Sequence, residues 1–224
     1  MSGSDQGGEK TTGAALCRRL EDMVRNTKVV GVVATVAMAL TGFIGVASAS
    51  AAQFQAEQYP ATLSGQSFES GRVFAGGYSY TNCSSTLAGE AAAASESWNL
   101  APTWQGCTWL GLSGAKINNS GCQFRVNANG TASIVGAGCA IWFSGGGGCL
   151  WQMGPQTASS VVTYENVGIA TTRKVKVKLK MTGLNYTENG LCGGGNGHDG
   201  EITGSWEVSG RNKATGKPQG VWLS

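Results

Sequence analysis

The chain has 224 residues, with 36 glycines, 4 prolines, 13% charged residues and 41% hydrophobic residues, including seven tryptophans. These values exclude a collagen-like repeat, a coiled coil and a highly charged disordered chain, and they favour a packed globular body. After residue 52 there are 11 Lys or Arg residues against 9 Asp or Glu residues, a net charge near +2, so no specific nucleic-acid partner is expected.

The first 52 residues are predicted to direct export. An uncharged apolar run, Val29–Val46, is preceded by basic residues and followed by small residues through Ala52. Basic residues before such a run hold the N-terminus in the cytoplasm. Residues 1–52 are therefore a cleaved signal peptide or, alternatively, an uncleaved signal anchor. Residues 53–224 form one exported domain, extracellular or at the cell surface, with membrane contact only through an uncleaved N-terminal helix.

The cysteines agree with export. Six follow the apolar run, an even number that predicts three disulfides; they are Cys83, Cys107, Cys122, Cys139, Cys149 and Cys192. A zinc site is disfavoured because there is no Cys-x-x-Cys pair and the only histidine is His198. We expect no metal and no other cofactor.

Short alternating runs separated by turn residues predict an all-β fold, a disulfide-bonded antiparallel β-sandwich or barrel-like domain that follows the N-terminal export helix. Beyond residue 53, only Leu87–Ser97 has helix-forming composition. The predicted strands are Ser79–Cys83, Ala115–Ile117, Gln123–Ala128, Ala132–Gly136, Ala140–Phe143, Leu150–Met153, Val161–Glu165, Lys174–Met181, Glu201–Ser209 and Gly220–Leu223.

Two hairpins can be placed. Asn129-Gly130 is a strong two-residue turn signal, and it pairs Phe124 with Val135. Cys122 and Cys139 are then diagonal neighbours on one face, and a bulge at 136–138 would let them form a disulfide.

The second hairpin joins Ala140–Phe143 to Cys149–Met153 through a glycine-rich loop, and we pair Phe143 with Cys149. Cys139 and Cys149 are then too far apart for a disulfide. Cys83–Cys107 and Cys149–Cys192 remain as the simplest completion among about 15 pairings.

Four short motifs carry a resemblance across most of residues 54–210. They are Gln58-Tyr59-Pro60-Ala61-Thr62, Pro102-x4-Cys107, Gly121-Cys122 and Asp199-Gly200-x3-Gly204-Ser205-Trp206. In these motifs the chain loosely resembles uncharacterised secreted, β-rich, cysteine-containing proteins of actinobacteria. The resemblance implies a β-sandwich-like fold and assigns no functional residue.

The segment Lys174–Met181 alternates lysine with apolar residues, so a strand there places Lys174, Lys176, Lys178 and Lys180 on one face. One interpretation is a ridge that binds a polyanion, namely an anionic cell-envelope polymer such as teichoic acid, an anionic lipid or a nucleic acid. The other, which we favour, is an exposed edge strand whose lysines prevent edge-to-edge aggregation.

A tryptophan cluster, Trp98, Trp104 and Trp109, lies near Cys107. Exposed indoles could stack on the sugar rings of a glycan, although we favour the alternative that these residues fill the core.

Catalytic signals are sparse. Asp199, Glu201 and Glu207 share strand parity and could supply the carboxylate pair of a hydrolase. The glycine-rich segment 193–200 lacks the helix that a dinucleotide site needs and the repeats that a calcium site needs, so it is interpreted as a loop. The sequence therefore favours a secreted or cell-surface binding or structural domain over the alternative, a secreted carbohydrate-active hydrolase, and an enzyme is the less favoured class.

Overall fold

The computed structural model describes residues 51–75, 78–145, 148–190 and 195–224, with only the backbone of 78–81. The predicted export segment thus lies almost wholly outside the described residues. The strands are β1 (Phe54–Ala56), β2 (Ala61–Ala75), β3 (Tyr78–Ala91), β4 (Ser97–Gln105), β5 (Thr108–Trp109), β6 (Leu112–Ser113), β7 (Lys116–Asn118), β8 (Gln123–Asn127), β9 (Ala132–Val135), β10 (Ile141–Ser144), β11 (Cys149–Met153), β12 (Gln156–Thr157), β13 (Ser159–Val167), β14 (Lys174–Gly190), β15 (Gly197–Asn212), β16 (Pro218–Gln219) and β17 (Val221–Leu223).

Nearly all strands belong to one antiparallel sheet in the order β12-β9-β8-β4-β3-β2-β15-β14-β11-β10-β7, while β1 pairs with β17. The long strand β14 has two partners on one side. Its first part, Lys174–Thr182, pairs with β13, and its end, Thr187–Gly190, pairs with β11. One 3-10 turn, Ala170–Thr172, precedes β14. The predicted all-β, antiparallel, disulfide-bonded fold is confirmed.

The sheet curls into a half-barrel whose ends approach each other. The Val162 N–H donates to the Gly130 carbonyl at 2.8 Å, and the Ala132 N–H donates to the Ser160 Oγ at 2.7 Å. These bonds join β13 to the β8–β9 hairpin and leave the concave side to the core.

The core is aromatic and lies inside the curl. Its largest fully buried side chains are Trp98, Trp151, Trp206, Phe54, Phe124 and Phe143. Phe54 comes only two residues after Ala52, and its ring stacks on Trp98 with centroids 4.2 Å apart. Every strand, both disulfides and this core fall within 54–223, so the described fold needs no residue before Ala51.

The β8–β9 hairpin turns where the sequence predicted, but the predicted register is wrong by one residue. Phe124 faces Ile134 instead of Val135. The loop contains three residues, because the Asn127 N–H donates to the Thr131 carbonyl and Gly130 adopts φ 85°. A left-handed glycine after a tight turn is typical of three-residue hairpin loops, whereas the prediction assumed two residues.

The β10–β11 register is also wrong, by two residues, because Phe143 faces Trp151 instead of Cys149. Both rings are 0% exposed. A glycine-only loop offers no side chain to fix the register, so burial of the two large rings decides it.

The segment Leu87–Ser97, with its helix-forming composition, does not form a helix. Leu87–Ala91 is the end of β3, and β4 begins at Ser97. Its alanines and glycine are accommodated by close strand packing: a Cβ at Gly89 would lie 2.6 Å from the Asn99 carbonyl oxygen. Tertiary pairing has therefore overridden local propensity.

Candidate functional site

The lysines of β14 line the outer face of the sheet, as the alternation predicted. Val175, Val177 and Met181 are 0% exposed on the inner face. Each lysine forms an ion pair with a carboxylate from another strand: Lys174–Glu207 at 2.7 Å, Lys176–Glu165 at 3.5 Å, Lys178–Glu69 at 2.8 Å and Lys180–Glu201 at 3.8 Å. Glu207 and Glu201 lie on β15 and Glu165 on β13, which pair with β14, whereas Glu69 reaches across from β2, beyond β15. We call these eight residues the charged face.

The edge-strand interpretation of the lysines is wrong. Over Lys174–Thr182, β14 is hydrogen-bonded to β13 on one side, and Val175–Thr182 is hydrogen-bonded to β15 on the other. Its backbone groups are therefore occupied and need no protection from a neighbouring chain. The lysines also do not form a ridge of unbalanced positive charge, because each of the four ammonium groups is paired with a glutamate.

A bulge in β2 brings a further side chain onto this face. Between Gln66 and Gly71, β2 has four residues, while its partner β3 has only two between Thr86 and Cys83. The extra residues break the alternation, so the consecutive residues Phe68, Glu69 and Ser70 are all exposed. Phe68 is 41% exposed. A bulge that re-aims side chains is a common device at binding sites.

The Phe68 ring lies among ammonium groups. The Nζ atoms of Lys178 and Lys176 are 5.5 Å and 5.9 Å from its centroid, within the range of cation–π attraction. The ring is therefore held in place by charged neighbours while much of its surface remains in water.

Glu69 is the most strongly organised carboxylate of the charged face. Lys178 Nζ donates to its Oε1 at 2.8 Å, and Ser205 Oγ donates to its Oε2 at 2.6 Å. Hydrogen bonds from Lys178 and then from Ser205, with the charge of Lys178, hold the pKa of Glu69 below its ordinary value of 4.5. Glu69 is thus ionised at neutral pH and accepts hydrogen bonds.

An open depression of about 430 Å³ lies in this region. Glu69 and Ser70 line one side, Val161 and Thr163 another, and Lys178 and Lys180 contribute ammonium groups. Val161 is 61% exposed, so the depression combines an apolar wall with donors and acceptors. This arrangement can bind a polar ligand that also has apolar faces.

Sequence reasoning missed Phe68 and Glu69 because β2 was not among the predicted strands. A signal was available: Ala61–Gln66 alternates inward and outward residues, and the run Ser67–Ser70 interrupts that alternation with one aromatic residue. An interrupted period-two pattern is what a bulge produces.

The interpretation of the tryptophan cluster as a set of exposed, glycan-stacking indoles is wrong for two of its three members. Trp98 is 1% exposed and Trp104 is 7% exposed, so neither presents a free indole face to solvent. Trp104 packs edge-on against Trp206, with centroids 6.3 Å apart. Trp109 is half-buried and packs against the core. Burial of these large apolar rings stabilises the fold by removing their surface from water. Core filling is the alternative that the sequence favoured.

Two predicted disulfides are present, Cys83–Cys107 and Cys122–Cys139. Cys149 is buried and carries no disulfide within the described residues, while its predicted partner, Cys192, lies outside them. Gly190 faces Cys149 in the ladder, and Cys192 follows Gly190 by two residues in the sequence. The third pairing stays a prediction.

The three carboxylates considered for hydrolysis are each engaged separately. Asp199 accepts from the Tyr186 hydroxyl at 2.7 Å, Glu201 pairs with Lys180, and Glu207 pairs with Lys174. Glu201 and Glu207 are six residues apart on β15, roughly 20 Å. That is well beyond the separation in either class of glycosidase, whereas Asp199 and Glu201, two residues apart on the same strand, are separated by roughly 7 Å. Within the described ranges, no group of three or more metal-ligating side chains occurs.

Among the residues that the structure describes, no helix has the length and apolar character to cross a bilayer. Comparisons with protein-family models, with curated proteins and with solved structures found no significant match. The resemblance to secreted actinobacterial proteins therefore stays an expectation.

Proposed function

We propose that residues 53–224 are an exported glycan-binding domain whose ligand lies on the charged face beside Phe68. The observation that carries this proposal is the β2 bulge, which presents an exposed aromatic ring among ion-paired donors and acceptors. Sugar rings are bound by contact of an apolar ring face with an aromatic side chain, together with hydrogen bonds to hydroxyl groups. Phe68 supplies the first, and Lys178 and Glu69 supply the second.

The charge balance indicates the class of glycan. A polyanion such as an anionic cell-envelope polymer would meet four carboxylates together with the four lysines. Like charges at close range cost free energy, whereas an uncharged polyhydroxy ligand can accept from lysine and donate to glutamate. We therefore favour a neutral glycan over the polyanion.

The test is binding to a panel of neutral cell-wall and plant polysaccharides, with wall teichoic acid as the anionic member. We expect binding to a neutral member that falls at least tenfold in Phe68→Ala. The control is Ile169→Ala, because Ile169 is 79% exposed but does not belong to the charged face. Binding that survives Phe68→Ala would refute the proposal.

Salt separates the two ligand classes. Neutral-glycan binding should change little with ionic strength, because few counterions are released. Polyanion binding should weaken linearly in log K against log salt, and Lys176→Gln/Lys178→Gln should reduce the slope. A steep decrease of log K with log salt would instead indicate that the charged face binds a polyanion.

Export is part of the proposal, and the two disulfides support it because such bonds persist in oxidising compartments. N-terminal sequencing of the mature protein should find a start between Ser50 and Phe54. A later cut would remove Phe54, whose ring is 0% exposed and stacks on Trp98. A full-length product in the membrane would indicate the anchor, and a cytoplasmic product would contradict export.

The hydrolase is tested on the same polysaccharides. We expect binding without release of new reducing ends, since Glu201 and Glu207 form ion pairs with Lys180 and Lys174 and Asp199 accepts a hydrogen bond from Tyr186. Turnover that depends on Glu201 or Glu207 would establish the alternative.

A further inference from the structure

The tip of the β5–β6 hairpin is apolar and exposed. Trp109 faces Leu112 in the ladder, and only Leu110 and Gly111 form the turn. Leu110 is 61% exposed and Leu112 is 64% exposed. Folding alone does not account for two neighbouring leucines in water, because solvated tips of this kind favour polar turn residues.

The backbone conformation of Leu110 is one that leucine rarely adopts. Leu110 has φ 49° and Gly111 has φ 78°, and positive φ at both turn positions is the signature of a type I′ hairpin, which strongly prefers Asn-Gly. Leucine is unfavourable there because its Cβ crowds the backbone in the left-handed region. The hairpin keeps a residue that is poor for the turn and poor for solvent exposure, so a role outside folding is indicated.

The sequence on either side of the hairpin is poor in negative charge. No Asp or Glu occurs between Ser97 and Tyr164, and the only charged residues there are Lys116 and Arg125. Trp109 covers Gly145, where a Cβ would lie 2.7 Å from the indole. The neighbouring residue Ser144 faces Lys116 in the ladder. The apolar tip thus has the Trp109 ring at its base, next to the strand pair that carries Lys116.

We propose that this hairpin inserts Leu110 and Leu112 shallowly into the surface of an anionic phospholipid bilayer. Convex apolar tips fit a deformable lipid surface without needing a preformed groove. Tryptophan is favoured at the membrane–water interface, and lysine is attracted by anionic headgroups. The absence of carboxylates from the surrounding sequence removes the groups most strongly repelled by such a surface. This is a membrane contact separate from the N-terminal apolar run.

The hairpin lies at the opposite end of β4 from the bridge between Phe54 and Ser95. β4 begins at Ser97, beside the Phe54–Ser95 bridge, and runs nine residues to Gln105, roughly 30 Å, before the hairpin. Lipid contact through the hairpin therefore does not depend on the chain that precedes Ala51.

The test uses residues 51–224, which contain the whole described fold, so that the N-terminal apolar run does not itself bind lipid. Binding is measured by cosedimentation with vesicles of phosphatidylcholine and phosphatidylglycerol. Leu110→Asn/Leu112→Ser should lower the vesicle partition coefficient at least tenfold. Its melting temperature should be unchanged or higher, because Asn-Gly suits the turn. Lost binding therefore cannot be mistaken for unfolding.

The matched control is Ile169→Asn. Like Leu110, Ile169 is an exposed apolar residue in a turn that contains a residue with positive φ, in this case Ala170. This substitution should leave partitioning unchanged. Wild-type protein that does not sediment with vesicles would overturn the proposal, as would equal partitioning of the hairpin variant. Binding that high salt abolishes in both proteins would assign the contact to electrostatic adsorption and would also overturn it. Glycan binding should be unaffected by the hairpin variant, so the two proposals fail separately.

Discussion

A buried hydrogen bond beneath the β2 bulge should be important for stability. The Trp206 indole N–H donates to Ser85 Oγ at 2.8 Å, and the two residues are 1% and 3% exposed. The Ser85 N–H donates in turn to Ser67 Oγ at 3.0 Å, within the bulge that presents Phe68. Ser85 therefore connects the core to the candidate site.

Replacing Ser85 with alanine leaves the Trp206 N–H buried without a partner. An unsatisfied buried donor costs about 1–3 kcal/mol of unfolding free energy. For a domain of this size each kcal/mol corresponds to about 2–4 °C, so the melting temperature should fall by roughly 2–12 °C.

The assay is urea unfolding of the oxidised protein at neutral pH, with Ser84→Ala as the control. Ser84 is the exposed neighbour whose hydroxyl donates to the Gln105 carbonyl at 3.2 Å, and its loss should stay within about 0.5 kcal/mol. In a Trp206→Phe background the cost of Ser85→Ala should shrink, because the donor is gone. Equal effects of Ser84→Ala and Ser85→Ala would refute the reasoning.

Two further predictions concern charge and redox state. The pKa of Glu69 is lowered in the folded protein, so its stabilising contribution is present above its unfolded pKa and lost as pH falls through the folded value; the stability difference between wild type and Glu69→Gln should therefore vanish in acid, and a difference that grows there would contradict the ion pair. Alkylation of the denatured, unreduced protein should modify none of the six cysteines after residue 52, and mass spectrometry that finds Cys149 and Cys192 modified would disprove the third disulfide.

Sequence patterns were sufficient where the structure is local or periodic. Alternation in Lys174–Met181 identified both faces of β14, because side-chain direction follows directly from strand geometry. Gly130 identified a turn, since its positive φ suits few other residues. The predicted pairing of Cys122 with Cys139 was correct although the hairpin register was off by one residue, because the two cysteines are only 17 residues apart and few local arrangements separate them.

Tertiary structure decided which strands became neighbours, and with them the meaning of the site residues. The lysines looked like an unpaired row, yet the partner of Lys178 is Glu69, 109 residues away in the sequence. Phe68 became part of the site only because β2 bulges between β3 and β15. Strand pairing is chosen by burial of the aromatic core over the whole sheet, and that collective free energy is not encoded in any short segment.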